Sequence, residues 1–258
     1  MSELSETPLK DPENKQPPAV SSYYRVKHVF DIAVVIATLP IIGPIILLLM
    51  LLIKLTSKGP IFYSQIRCAK DEKPFKMYKL RSMIVNAEAN GIVWSPGTKK
   101  DPRITPLGRI MRRLHLDELP QIWNVLRGEM DVIGPRPERP EYIKKLKEQV
   151  PYYEYRMLIR PGMTGYAQLN WKADTGLEDV HRKVILDLEY IETVTPWFDF
   201  RILLGTAFQF LPSRIFGTFP LRLCGIYRPA EQSPWADRIG ILDDHLSVHL
   251  SGTNKDKK

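Results

Sequence analysis

Two adjacent carboxylates, Asp117 and Glu118, stand in the stretch Leu116-Asp-Glu-Leu-Pro-Gln121, where a helix is expected to begin. Arg112 and Arg113 come just before them. A helix N-terminus with guanidinium groups nearby favours phosphate, through unpaired backbone N–H groups and the positive end of the helix dipole. In such a field both carboxylates are expected to be ionised. One could attack phosphorus while the other holds a divalent cation. A plainer reading stays open: acidic residues cap helices, and proline is tolerated in the first turn.

Other cations sit in stiff settings. In Gly134-Pro-Arg-Pro-Glu138 two prolines fix the backbone on either side of Arg136. That suits a pre-organised guanidinium fork for a phosphate or carboxylate, or simply a rigid turn with a solvated arginine. Arg160-Pro-Gly-Met-Thr-Gly165 combines a cation, a stiff turn and glycines that allow close backbone approach. Lys79 and Arg81 are two residues apart on an expected strand, so they should share a face. Together these motifs suggest a large anionic phosphate ligand.

The elements that must position these groups follow from periodicity. Residues 61–67 and 75–81 read as the strands of a hairpin. Leu107, Ile110, Met111 and Leu114 recur at helical spacing, with Arg109, Arg112 and Arg113 on other faces. A further helix is expected over 117–127, with Gly128 as its stop. Residues 141–149 and 177–194 also read as helices. Residues 197–211 are amphipathic and aromatic-rich, which fits a core helix or an interfacial membrane helix. Upstream, residues 32–53 contain no charge, enough helix to span roughly 33 Å. Pro40 and Pro44, with Gly43 between them, predict a break near the middle. Both flanks are basic: Arg25, Lys27 and His28 before, Lys54 and Lys58 after. Symmetric flanks fit a re-entrant helix better than a spanning one, with Thr38 serving backbone groups freed at the break.

The chain has 258 residues, 44% hydrophobic and 26% charged, which excludes a disordered or collagen-like chain. Its two cysteines, Cys68 and Cys224, form no CxxC pattern, which excludes a disulfide scaffold and a structural zinc site. The net charge of +8 admits nucleic acid, an anionic membrane or a phosphorylated substrate as partner. Residues 1–22 are polar and acidic on balance, so the basic excess lies downstream. They lack the basic start of a signal peptide and read as a disordered tail. Residues 213–258 lose clear periodicity.

Six motifs occur in one order: Lys76-Met-Tyr-Lys-Leu-Arg-Ser-Met83, Asp101-Pro-Arg-Ile-Thr105, Arg113-Leu-His-Leu-Asp-Glu-Leu-Pro-Gln121, Asn124-Val-Leu-Arg-Gly128, Gly134-Pro-Arg-Pro137 and Arg160-Pro-Gly-Met-Thr-Gly165. Over roughly 23–211 the chain resembles the bacterial sugar transferases, the monotopic polyprenyl-phosphate phosphoglycosyl transferases. The resemblance implies transfer of a hexose 1-phosphate from a UDP-sugar to undecaprenyl phosphate, releasing UMP. That is the first membrane step in assembling O-antigen, capsule, exopolysaccharide or glycoprotein glycans. It implies Mg²⁺ and a re-entrant membrane helix at the cytoplasmic face of the bacterial inner membrane. It maps the catalytic dyad onto Asp117 and Glu118, with Glu118 as the metal ligand. Substrate-binding cations are expected at Lys79, Arg81, Arg112, Arg113, Arg136 and Arg160.

The sequence departs from the family at Leu39-Pro40, where Ser-Pro is common, and at Ala69, where Gly is usual. It departs again at Trp171-Lys172, where Gly-Arg is common, and after residue 212. The expected fold is helix-rich α+β, with an N-terminal re-entrant helix, a small β-hairpin and interfacial amphipathic helices. The expected organisation is a tail over 1–22, a membrane helix with flanks over 23–58, a catalytic domain over 59–212 and an extension over 213–258. The chain is expected to lack the larger members' N-terminal membrane bundle, as in a minimal catalytic unit. Expected partners are a UDP-sugar, undecaprenyl phosphate and the anionic membrane, with a homo-oligomer left open. Nucleic acid is not expected, because a paired carboxylate inside the basic region would repel it. A basic, membrane-anchored scaffold without enzymatic activity is the competing reading.

Overall fold

The computed structural model describes residues 16–87, 101–171, 176–208 and 219–239. The expectations for 1–15, Lys172, 209–218 and the chain after 239 fall outside the described residues. The fold is α+β and helix-rich, with two small sheets. Helix α1 (Tyr24–Thr56) is 33 residues long and is apolar enough to cross a membrane. Its backbone stays helical through Pro40 and Pro44, so the expected break is not a loss of helix. Thr38 does not serve the carbonyl that Pro40 frees, which is that of Ile36 four residues back. Its hydroxyl donates to Val34 O at 2.9 Å and Val35 O at 3.0 Å instead.

Strands β1 (Phe62–Cys68) and β2 (Pro74–Leu80) pair antiparallel with Phe62 opposite Leu80, within a residue of the expected hairpin. Helix α2 (Pro106–Arg113) is capped by the Thr105 hydroxyl, which accepts from Gly108 N at 2.9 Å. Its apolar stripe divides: Met111 is fully buried, whereas Ile110 is exposed. Next come α3 (Ile122–Leu126), β3 (Asp131–Ile133) and α4 (Pro140–Gln149). Strand β4 (Gly162–Thr164) pairs parallel with β3, a second sheet where the sequence predicts a stiff turn. Helices α5 (Tyr166–Asn170), α6 (Leu177–Thr193) and α7 (Pro196–Phe208) follow. The chain then adds α8 (Phe219–Leu223) and α9 (Pro234–Ile239).

The main core surrounds α6, where Val184, Ile185, Leu188 and Ile191 are fully buried. Leu221, Ile226, Trp235 and Ile239 of the C-terminal extension join that same core. Residues 16–22 are not all loose tail. Ser21 donates its N–H to Ile191 O at 3.2 Å and its hydroxyl to Val194 O at 2.8 Å, satisfying carbonyls at the end of α6. Helix α1 enters three separate apolar clusters: through Tyr24 near α6, through Val35 beside Phe75 and Met130, and through Leu49 and Ile53 beside Leu80 and Met111.

The basic N-terminal flank of α1 is largely internal. Lys27 is fully buried between Asp31 at 2.7 Å and Asp199 at 3.1 Å. His28 Nδ1 lies 2.7 Å from Asp131. Of that flank Arg25 alone is exposed, so the charge symmetry seen in the sequence does not carry into the fold. A buried cation needs carboxylate partners, and these come from α1 itself, β3 and α7.

Candidate active site

Asp117 and Glu118 lie in a 3-10 turn, Leu116–Gln121, that runs straight into α3. Pro120 has no N–H to give Leu116 O, so the α-type bond cannot form and the turn tightens. The helix expected over 117–127 is therefore two pieces. Gly128 ends it as expected, at φ +73°, with its N–H donating to Val125 O at 2.9 Å. Strand β2 packs against the turn, and buried Asn124 ties it to α3. The Asn124 amide donates to Lys76 O at 2.8 Å and accepts from Tyr78 N at 3.2 Å.

Two cations converge on one carboxylate oxygen. Lys79 Nζ is 2.6 Å from Glu118 Oε1, and Arg136 Nη2 is 3.2 Å from the same atom. Arg136 Nη1 also donates to Gln168 Oε1 at 3.2 Å. Burial by itself would raise the Glu118 carboxyl, but Arg136 and Lys79 together hold it well below the usual range. Asp117, only 6% exposed, goes the other way. Burial pushes its carboxyl up and the Glu118 charge adds to this, while Lys79 and Arg112 offset only part. The two carboxylates are therefore shifted in opposite directions, Asp117 up and Glu118 down. Burial also lowers the Lys79 ammonium, against the pull of Glu118.

The other predicted cations divide. Arg112 is half-buried and close enough to act on Asp117. Arg113 is exposed and pairs with neither carboxylate. Arg81 lies one residue past β2, so strand alternation does not hold it beside Lys79. Its Nη2 donates to Ser57 O at 3.0 Å and Ser57 Oγ at 2.5 Å, at the C-terminal end of α1. A cation there complements the carbonyl end of the helix dipole. Arg160 is brought to β3 rather than to the dyad. Its Nε donates to Gly128 O at 2.9 Å, its Nη1 is 3.8 Å from Asp131, and its backbone N–H donates to the Tyr24 hydroxyl at 2.6 Å. The motif 101–105 is a turn that starts α2, with Arg103 folded onto Asp101 at 2.7 Å.

The glycines allow close approach, but of one loop to another. A Cβ on Gly162 would lie 2.0 Å from Gly134 N, and one on Gly165 would lie 2.2 Å from Gly134 O. The crossing of these two backbones sets where Arg136 stands. Gln168 and Arg67 also belong to this region, and sequence reasoning missed both. The signal available was that both lie in stretches shared with the resembling family, Gln65-Ile-Arg-Cys-Ala69 and Gln168-Leu-Asn170.

A metal was expected at Glu118. Among the described residues no group of three or more His, Cys, Asp or Glu side chains could hold one. Both ion pairs of Glu118 fall on Oε1, leaving Oε2 outside them. One carboxylate is a fitting donor set for Mg²⁺ that arrives on substrate phosphates and keeps its waters, and a poor one for a protein-caged ion.

A family model described as bacterial sugar transferase matches residues 22–213. The chain belongs to that family. It is 36% identical to a UDP-N-acetylgalactosamine-undecaprenyl-phosphate N-acetylgalactosaminephosphotransferase of Aeromonas hydrophila, over 71% of this chain and 43% of the relative. It is 39% identical to a UDP-glucose:undecaprenyl-phosphate glucose-1-phosphate transferase of Escherichia coli (strain K12), over 71% of this chain and 40% of the relative. The match therefore spans less than half the length of these two proteins. An exopolysaccharide production protein PSS of Rhizobium leguminosarum bv. phaseoli is 39% identical over 70% of this chain and 93% of its own.

In this member of the family the forked contact of Arg136 sets an expectation. Its two nitrogens reach two partners in a fixed planar spacing, which a point-like ammonium does not reproduce. Arg136→Lys should cost on the order of 2 kcal/mol. That is roughly thirty-fold in kcat/KM for the transfer proposed below, and wild-type kinetics would count against the fork.

Proposed function

We propose that this chain transfers a hexose 1-phosphate from a UDP-sugar to undecaprenyl phosphate and releases UMP, opening glycan assembly at the cytoplasmic face of the inner membrane. One observation carries the reading: Lys79 and Arg136 converge on Glu118 beside the buried Asp117, in a chain of the family whose relatives are named for such transfers. In the first step an Asp117 oxygen attacks the sugar-bearing phosphorus. A carboxyl–phosphorus bond forms, and the bond to the bridging diphosphate oxygen breaks. UMP leaves with that electron pair. In the second step a phosphate oxygen of undecaprenyl phosphate attacks the same phosphorus. The Asp117–phosphorus bond breaks, and the carboxylate is restored. Splitting the transfer lets one site serve a soluble donor and a membrane-embedded acceptor in turn. Arg136, whose side chain is 44% exposed, has donors to offer the incoming diphosphate. Glu118 would hold Mg²⁺, which when bound neutralises charge on the diphosphate.

The decisive assay is UMP release from a panel of UDP-sugars with undecaprenyl phosphate and Mg²⁺. Release with at least one sugar is expected. None from any of them would overturn the reading and favour the membrane-anchored scaffold.

The membrane part of the proposal is that α1 dips into one leaflet and that both its ends stay on the cytoplasmic side. Support comes from packing: its N-terminal part lies on α3 and β3, and its C-terminal part on α2 and the dyad turn. Between Val35 and Leu49 no residue is buried, and Ile36, Ile41, Leu47 and Leu48 are exposed. Helix α7 adds an interfacial face, with Trp197 and Phe200 stacked at 5.4 Å and both exposed. Single cysteines at the exposed positions Ser22 and Lys58, with Cys68 and Cys224 replaced by Ala, should both resist a membrane-impermeant thiol reagent in intact cells. Both should react once the membrane is opened. Labelling of just one in intact cells would mean a spanning helix.

A further inference from the structure

The loop that carries Arg136 has an unusual anchoring problem. Pro135 and Pro137 have no N–H, so the loop must be held through its carbonyls. Four successive carbonyls are in fact held. Pro135 O accepts from Gly162 N at 2.9 Å, and Glu138 O accepts from Cys68 N at 3.0 Å. The two in between accept from side chains. Arg156 Nη2 donates to Arg136 O at 3.3 Å. Arg67 Nη1 donates to Pro137 O at 3.2 Å and to Glu138 Oε1 at 3.0 Å.

Each guanidinium is braced from behind. Arg156 is 8% exposed and sits on the 3-10 turn Tyr153–Leu158. Its Nε donates to Asp187 Oδ2 of α6 at 2.6 Å, and its Nη1 donates to the Tyr153 hydroxyl at 3.1 Å. Arg67, on β1, donates its Nη2 to Gln65 Oε1 at 2.7 Å. Neither forms an ion pair with Asp117 or Glu118. Burying a guanidinium–carboxylate pair is a weak route to stability, since an apolar pair of like volume often serves as well. What a planar fork does offer is a fixed direction for several bonds at once.

We propose that Arg156 and Arg67 are positioning residues: they clamp the carbonyls of Arg136 and Pro137 and so aim the Arg136 guanidinium at Glu118 and the incoming diphosphate. This rests on the reading of the dyad as the reaction centre. The clamp acts through the backbone, so its loss should matter only as long as Arg136 has a side chain to aim.

The test uses the full chain in detergent, with Arg156→Lys and Arg67→Met alone and in an Arg136→Ala background. Lysine at 156 keeps a charge for Asp187 but lacks the second nitrogen that holds Arg136 O, and methionine at 67 keeps an apolar stem with no donor for Pro137 O or Glu138. Each variant should raise hydrogen exchange by about tenfold at the Gly162 and Cys68 amides, which donate to Pro135 O and Glu138 O of the loop, with the α6 amides unchanged. Each should lower kcat/KM for UMP release by about tenfold alone, and by less than about twofold when Arg136 is already Ala. Unchanged exchange at those two amides, or the full loss repeated in the Arg136→Ala background, would overturn the clamp. If Arg156→Lys fails to fold, Arg67→Met, which leaves the buried Asp187 pair intact, decides the question by both readouts. If the wild type releases no UMP, the proposed function falls, while the exchange measurement still decides the clamp.

Discussion

Asp117→Asn should abolish the covalent adduct and lower kcat/KM by at least about a thousandfold, roughly 4 kcal/mol. An amide keeps the shape of the carboxyl but is a far weaker nucleophile, and an acyl phosphate cannot form from it without losing its nitrogen. The measurement is intact mass after incubation with a UDP-sugar and no lipid acceptor. Wild type should gain one hexose phosphate, and the Asn variant none. Because burial raises the Asp117 carboxyl, adduct formation should fade on the acid side at a higher pH than an ordinary aspartate would impose. The sign follows from the chemistry: the group attacks only when ionised, so lowering the pH through its raised pKa removes the nucleophile. Substantial turnover by Asp117→Asn would sink covalent catalysis. Direct attack by the lipid phosphate, with Asp117 as base or metal ligand, would then be the better account.

Gly162→Ala, remote from the dyad in sequence, should cost both stability and activity by way of the fold. The added Cβ would meet Gly134 N at 2.0 Å, Thr164 O at 2.4 Å and Ile133 C at 2.6 Å, all of them backbone atoms that no rotamer change can move aside. Strands β3 and β4 would have to part. That breaks the bonds from Asp131 N to Pro161 O, 2.8 Å, and from Gly134 N to Thr164 O, 2.9 Å. Overpacking of this kind costs about 3 kcal/mol of stability. Displacing the Arg136 loop by an ångström should add about a hundredfold loss of kcat/KM. Thermal unfolding in detergent and UMP release measure the two effects separately. A wild-type melting temperature together with a wild-type rate would show that the two loops leave room for a methyl group.

Much of the site could be read from short-range pattern. The hairpin of β1 and β2, the stop at Gly128 and the helices α4 and α6 depend on neighbours a few residues apart, where periodicity, helix stops and glycine conformation act directly. The dyad and the Pro-Arg-Pro loop were visible in the same way, because adjacent carboxylates and proline-flanked cations are unusual in themselves. The partners of the cations were decided by packing. Lys27 reads as a membrane-flanking charge, yet it is buried against Asp199, which is 172 residues away in the chain. Arg160 reads as a phosphate ligand, yet the parallel pairing of β3 with β4 brings it to Asp131 and Gly128. Arg81 follows strand alternation on paper, yet it lies past the strand end and caps α1. A guanidinium on a flexible stem can satisfy a phosphate, a carboxylate or a helix end equally well. Residue type sets its chemistry, and only the meeting of distant backbones selects which of those partners it finds.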